Sequence, residues 1–512
     1  MFPQFSLLDA SQFDGNSAQL SMMGLADSDS AVRTLMRLRD LWNISSGEKQ
    51  LVQYDSPGLR TETPHWYEIL ERVVREAPLR DTVLNVVEQF VRNSAEHLDV
   101  FKLFAESPRS LEILARLACG SPFLTQILLA DPQSLTTLTL QGRTAEMKSR
   151  EQFAREAMQA ADAYPARHER LMELRRYQRR QLLRIGMCDA FGLLDLRFVT
   201  LQLSLLADAM VQCCLNLAEK EITGVSSRLA VIALGKHGGE ELNYSSDIDL
   251  LLIADRDSSE VQRLARFTID GLAENISPGF LYRVDLRLRP WGEAGPLVST
   301  LDSYSHYLIH DASIWEKQAM LKARPVAGDA GIGQLLLKTI TPLLFSGTAA
   351  QVRSSIQQMK EKIESRLRQR GKLNSEVKLG IGSIRDVEFL VQSLQLIHGE
   401  SEPRILSFNT LDSLVRLAEF GLITAAWYRQ LRAGYVFLRT IEHSLQLLHN
   451  QQTHELPADR RQLEWLANRL DYPDAETLMH RYDEHRRAIR AIFNECVKGE
   501  SLREAIFRNE EY

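Results

Sequence analysis

Two aspartates one residue apart, Asp247 and Asp249, close the stretch LGKHGGEELNYSSDIDL at Leu234–Leu250. Apolar residues stand before the stretch at Leu229–Leu234 and inside its end at Ile248–Ile253, and both runs read as buried strands. Side chains two apart on a strand leave the same face, so the two carboxylates emerge together. Like charges held that close repel unless a cation joins them. Hard oxygen donors of this kind suit magnesium, and magnesium usually comes with phosphates. Gly235, Gly238 and Gly239 precede the pair as a phosphate-facing loop. Their backbone N–H groups can meet anionic oxygens, helped by a helix expected to start at Glu240–Glu241. The loop is neither a Walker loop, since GK[ST] is missing, nor a GxGxxG fingerprint.

Other residues extend the site. A third acid, Asp285, lies in an expected strand Leu281–Leu288, on the face opposite Val284 and Leu286. If that strand pairs beside Asp247–Ala254, three carboxylates converge and can hold two magnesium ions. The alternative is a simple ion pair of Asp285 with Arg287 or Arg289. Those two arginines alternate with Asp285, are expected on its face, and have forks suited to phosphate. Ser245 and Ser246 are expected either to donate to phosphate or to cap a turn. Lys236 reads as a phosphate contact or as a surface lysine, and His237 as a surface or packing residue. Lys322, Arg324, Lys378 and Arg385 are charged residues in apolar surroundings. They are read as buried ion pairs or as substrate contacts, with Glu316 and Glu388 as structural partners. The His443, His449 and His454 group lacks the i, i+4 spacing of a helical zinc site and reads as packing or surface.

The elements that must position these groups are mostly helical. Three-and-four spacing of apolar residues runs from Ser28, again from Tyr67 to about Leu140, and through Ala145–Ala163 and Arg167–Met187. Tyr54–Pro64 reads as a connection, and Asp131-Pro132 as a helix start. Residues 228–325 form the α/β part, with strands at Arg228–Leu234, Asp247–Ala254 and Leu281–Leu288 and a helix at Ser259–Asn275. Ala349–Val497 is helical again, broken near Gly399–Pro403, Pro457 and Pro473. The expected fold class is α+β, mostly α-helical, with a small mixed sheet. The expected division is a helical region over 1–225 (1–25 mobile), a central domain over 226–345 and a helical bundle over 346–512.

Composition narrows the partners. Lys+Arg 61 against Asp+Glu 67 gives a net charge of −6, which speaks against a surface built to wrap nucleic acid. The arginines Arg175, Arg176, Arg179, Arg180 and Arg184 read as a solvated or salt-bridged helix face, or as facing phosphates or an acidic partner. The five cysteines include no CxxC pair and read as reduced thiols of a cytoplasmic protein. No uninterrupted apolar run reaches the roughly 18–20 residues that span a bilayer, and the N-terminus has no signal-peptide pattern. Neither a membrane nor a nucleic-acid partner is expected.

The glycine loop with SSDIDL resembles the nucleotidyltransferase fold shared with polymerase β. The longer motifs LGKHGGEELNYSSDIDLLLI, YRVDLRLRPWGEAGPLV, WEKQAMLKAR and VKLGIGSIRDVEFLVQ resemble the bifunctional glutamine synthetase adenylyltransferase/adenylyl-removing enzymes. The resemblance runs from the arginine-rich helix near Arg175 to about Val497, while the first 150 residues match only in being helical. That family has two similar halves, and this chain carries one DxD centre. It resembles a single half, closer to the adenylyl-removing half in RVDLRLRP…GPLV and KLGIGSIR. Ser383, where the family usually has glycine, and His237, in a usually apolar position, depart from the pattern. The resemblance implies magnesium-dependent phosphorolysis of the AMP–tyrosine bond of glutamine synthetase, releasing ADP. The reverse, adenylylation with ATP, and a non-catalytic regulatory module remain the alternatives. It also implies P-II signalling protein as an effector.

Overall fold

The computed structural model describes residues 25–45, 65–94, 99–140, 145–276, 279–449 and 453–498. The expected mobile N-terminus, but for its last residue, and the connection at Tyr54–Pro64 lie outside the described residues. Two compact units emerge. The first is formed by residues 1–146 with 179–195 and 447–450, the second by 147–178, 196–446 and 451–512.

The first unit is helical wherever it is described. Its helices at His65–Glu76, Arg80–Ser94, Val100–Glu106, Pro108–Gly120 and Pro122–Ala130 pack apolar stripes such as Leu111, Ile113, Leu114 and Leu117 inward. Asp131 ends one helix and bonds Ser134, so the next begins at Gln133 and the expected start is displaced by one residue.

The second unit holds a mixed five-stranded sheet in the order β3-β2-β1-β5, with β4 also pairing β2. The strands are β1 (Leu229–Leu234), β2 (Ile248–Ala254), β3 (Val284–Asp285), β4 (Val298–Thr300) and β5 (Arg324–Gly328). β1 is antiparallel to both β2 and β5, and all six of its residues are buried. That explains its unbroken apolar run, since a central strand covered on both faces has no solvent side. β3 lies parallel to the start of β2 and β4 parallel to its end. The expected strand Leu281–Leu288 therefore shrinks to two residues. The chain leaves the sheet after Asp285 and returns as β4, and neither β4 nor β5 was anticipated.

Capping residues set the helices that follow the strands. Ser258, Thr300 and Asp329 each accept a backbone N–H in the first turn of Ser259–Ala273, Leu301–His310 and Ala330–Leu344. The helix Leu196–Glu221 packs on β5 and on Ser259–Ala273. Among the described residues it alone is long and apolar enough to cross a membrane by length and composition, yet 78% of its window is buried inside the protein. Cys213 and Cys214 sit in this core, and burial pushes the Cys214 thiol up to about 12. None of the five cysteines forms a disulfide.

The arginine-rich helix spans Arg167–Ala190. Arg175 is fully buried rather than solvated. It donates to the carbonyls of Leu171, Glu274 and Gly279, and so serves the last turn of Ser259–Ala273. Behind the sheet, Ala349–Gln369, Ile384–His398 and Ala475–Lys498 are joined by a buried charge cluster. Lys360 pairs with Asp386, and Arg490 bonds Glu364 at 2.8 Å.

Candidate active site

β2 and β3 bring the acids together. In their parallel register Asp249 stands opposite Asp285. Asp249 is the one residue of β2 that is not fully buried. Burial pushes its carboxyl up to about 6, and the charges of Asp285 and then Asp247 add to the effect, while Lys378 and Arg385 oppose it. The three carboxylates and these two cations therefore share one electrostatic neighbourhood.

Two arginines already neutralise part of it. Arg283 Nε donates to Asp247 Oδ1 at 2.5 Å and its Nη2 to the carbonyl of Ser245. Arg287 donates to both Asp285 oxygens and holds that carboxyl below its ordinary value, against some desolvation. As they stand, no three acidic, histidine or cysteine side chains among the described residues are gathered to hold an ion. The expected pairing of β2 with β3, which sets Asp249 opposite Asp285, and the ion pair of Asp285 with Arg287 are both present. Arg283 was not anticipated, although it sits two residues from Asp285.

The glycine loop is a single helical turn, Gly235–Gly238. The helix expected at Glu240–Glu241 does not form, because Glu240 takes a left-handed φ of 57° and the Glu241 N–H turns back to Lys236 O. The N–H groups of Gly239 and Glu240 are likewise spent on the turn. Those of the first turn have no acceptor within the helix. Glycine is required at two positions. A Cβ on Gly235, whose φ is +56°, would lie 2.2 Å from Asp249 Oδ2, and one on Gly238 would lie 2.0 Å from Lys322 O. The first approach seats the turn directly against the acid.

The remaining candidates divide into those at the acids and those behind the turn. Lys378 and Arg385 act on Asp249, and Arg385 also pairs with Glu388 at 3.6 Å. Ser246 caps a turn, its Oγ accepting from Asn243 N. Ser245 donates its N–H to Gln446 Oε1, and its buried Oγ has no partner among the described residues. Lys236 is no surface lysine. It meets Glu442 at 2.5 Å, and burial, offset in part by that carboxylate, pushes its ammonium down to about 7. Lys322 is a buried partner of Glu241 at 2.5 Å, with Glu388 at 3.9 Å. Arg324 grips Asp208 at 2.5 and 3.0 Å and donates to the carbonyls of His237 and Gly238. Lys322 and Arg324 thus brace the turn from behind.

Arg289 does not share the face of Asp285. The chain turns at Leu286, and Arg289 donates to the carbonyls of Glu293 and Gly295, clamping its own loop. Glu316 completes a capping box at Ser313 and accepts from Tyr307, so it partners neither Lys322 nor Arg324. His237 is fully buried, with Nε2 2.7 Å from Asp208 Oδ1. His443 packs on Tyr244, and His454 lies 2.9 Å from Glu442. Ser383 stands at the N-cap position of the Ile384–His398 helix, without a side-chain capping bond, and its ordinary φ of −94° imposes no backbone strain where the family usually has glycine. Asp208 was missed although it interrupts the apolar run LSLLADAMVQCCLNLA, a visible signal of a buried charge awaiting partners.

A mixed sheet with acids on adjacent strands, a glycine turn against one of them and helices around it is the polymerase β-like nucleotidyltransferase arrangement. Residues 111–339 match the family model for glutamate-ammonia ligase adenylyltransferase. Residues 354–497 match the model for GlnD PII-uridylyltransferase. The chain is 34% identical over 414 residues to the bifunctional glutamine synthetase adenylyltransferase/adenylyl-removing enzyme of Streptomyces avermitilis, covering 79% of this chain and 37% of that one. To the enzyme of the same name from Nitrosococcus oceani it is 33% identical over 416 residues, 76% of this chain and 42% of the relative. For that of Xanthobacter autotrophicus the figures are 34% over 410 residues, 75% and 41%. The chain belongs to this family, and it spans about two fifths of the length of these relatives. The family match begins at residue 111, well before the expected start near Arg175.

Proposed function

We propose that the chain is a magnesium-dependent nucleotidyltransferase acting on the adenylylated tyrosine of glutamine synthetase. The observation that carries this reading is the Asp249–Asp285 pairing, with Asp247 beside it and the Asp249 carboxyl raised to about 6. Such a centre gathers three carboxylates, and burial keeps the Asp249 carboxyl raised despite Arg283, Arg287, Lys378 and Arg385 around them. Asp247, Asp249 and Asp285 are the residues that would hold magnesium, two ions in the fullest case. Bound there, the metal supplies charge neutralisation and polarises phosphate oxygens.

The chain's own residues supply the rest. The Gly235–Gly238 turn presents backbone against Asp249, while Lys378 and Arg385 add positive charge where phosphoryl oxygens gather. In the removal direction an oxygen of inorganic phosphate attacks the AMP phosphorus. The bond from phosphorus to the tyrosine oxygen breaks, that oxygen takes a proton, and ADP leaves. In-line placement and charge neutralisation serve the reverse transfer from ATP equally well. The RVDLRLRP and KLGIGSIR wording favours removal. The PII-uridylyltransferase match of residues 354–497 supports a P-II-type protein as effector. We also propose that residues 1–225, 226–345 and 346–512 are separate functional segments.

The test mixes the protein with adenylylated glutamine synthetase, phosphate and magnesium. ADP release that vanishes in Asp249→Asn supports removal. ATP-dependent labelling of unmodified synthetase, without ADP release, reverses the direction. Binding without turnover in either assay leaves the regulatory module as the correct reading.

A further inference from the structure

The segment Glu241–Ser246, from which the acid pair emerges, has no ladder or helix of its own. Buried backbone in such a segment must find partners elsewhere. The Leu242 N–H donates to Ser204 Oγ, the Ser245 carbonyl accepts from Arg283, and further partners line one face of the helix Ala425–His449. Arg439 donates to the Glu241 carbonyl at 2.5 Å and to Asn243 Oδ1 at 3.0 Å. Glu442 accepts from Asn243 Nδ2 at 2.9 Å. His443 packs its ring on Tyr244, with centroids 4.7 Å apart, and Gln446 accepts from the Ser245 N–H at 3.2 Å. The four residues follow i, i+3, i+4, i+7 spacing, which lines them along one helix face. Each is between 0% and 2% exposed.

Four such polar residues on a helix also packed through Leu438, Ile441 and Leu445 are costly to bury, and Arg439 Nη1 and Gln446 Nε2 alone among their buried side-chain polar atoms have no hydrogen-bond partner among the described residues. A stripe that only oriented the helix would not need a contact from each of its members on one segment. These bonds fall in order along Glu241, Asn243, Tyr244 and Ser245. Glu442 also takes Lys236, so the same helix holds the glycine turn that precedes the segment. We infer that the stripe Arg439, Glu442, His443 and Gln446 is the positioning element of the acid centre, setting where Asp247 and Asp249 enter β2, with Glu442 as its hub. It takes no part in the bond changes. It rests on the proposed function only for its effect on turnover.

The experiment compares amide hydrogen exchange and AMP-transfer kinetics in wild type and Glu442→Gln. Losing one charge-assisted hydrogen bond predicts about tenfold faster exchange over Glu241–Ser246, with β1 unchanged as internal reference. It also predicts a kcat lowered about 10–100-fold with a nucleotide KM near wild type, as for groups that hold a ligand residue in place. Unchanged exchange in the segment overturns the inference, as does faster exchange with unaltered kcat. If Glu442→Gln loses protection throughout, Gln446→Leu carries the same test, because it removes only the acceptor of the Ser245 N–H. If wild type transfers no AMP, the functional reading falls, and the exchange result alone decides the role of the helix.

Discussion

Two groups of acids lie within one unit of this protein, and they are treated in opposite ways. Asp208 and Glu442 are fully buried, and each is held by charged and hydrogen-bonding partners of the chain. Burial pushes each upward, but His237 and Arg324 hold Asp208 below its ordinary range, and Lys236 and Arg439 hold Glu442 well below it. Asp249 is also largely enclosed, and there burial, with the charges of Asp285 and Asp247 added and those of Lys378 and Arg385 opposing, leaves the carboxyl raised to about 6. The difference separates a support from a site. A charge whose partners are all provided by the chain holds structure, whereas one left short of positive charge is free to take a ligand.

The largest effect expected from breaking this contrast is on turnover. Asp249→Asn should lower AMP transfer roughly 10⁴-fold, ~5.5 kcal/mol of barrier, in the ADP-release assay. Next comes Asp208→Ala, which strands Arg324 in the interior. Chemical denaturation should show a loss of about 4 kcal/mol. Arg324→Met with Asp208→Ala should recover part of it, because the unpaired charge is then gone.

The third effect has the opposite sign. Folding raises the Asp249 carboxyl from its ordinary 3.8 to about 6, so the folded protein binds that proton more tightly than the unfolded chain does. Stability without metal therefore falls as pH rises through that window. Above it Asp249→Asn should stabilise the metal-free protein by about 2–3 kcal/mol, and near pH 4 it should do little. Magnesium should raise the Tm of wild type and leave that of the variant nearly unmoved. A Tm for Asp249→Asn below wild type at pH 8 would remove the contrast. The smallest effect belongs to Arg287, whose side chain is 73% exposed. Arg287→Ala should change stability by less than about 1 kcal/mol in the same denaturation assay.

Much of this was legible in the chain because it depends on local pattern. The run at Leu229–Leu234 and the alternation at Asp247–Asp249 imply a buried strand and two carboxylates on one side, since strand periodicity is a property of the backbone. The glycines of LGKHGG announced a close approach, and the family motifs carried the class of the fold. Short elements were lost. β4 and β5 have three and five residues, too few for periodicity to rise above background. Arg287 and Arg289 were assigned to the face of Asp285 by alternation; Arg287 meets Asp285, but the assignment fails for Arg289 because the chain turns at Leu286.

By itself, then, the amino-acid order determined the elements, the acid pair and the glycine turn, because those follow from spacing and side-chain chemistry over a few residues. Only the tertiary structure decided which cations serve the site and which serve the scaffold. Lys322, Arg324, Lys378 and Arg385 look alike in the chain. Two are consumed by Glu241 and Asp208, and two face Asp249. That partition depends on partners lying scores of residues away, and it is set by burial, where an ion without a partner is too costly to keep.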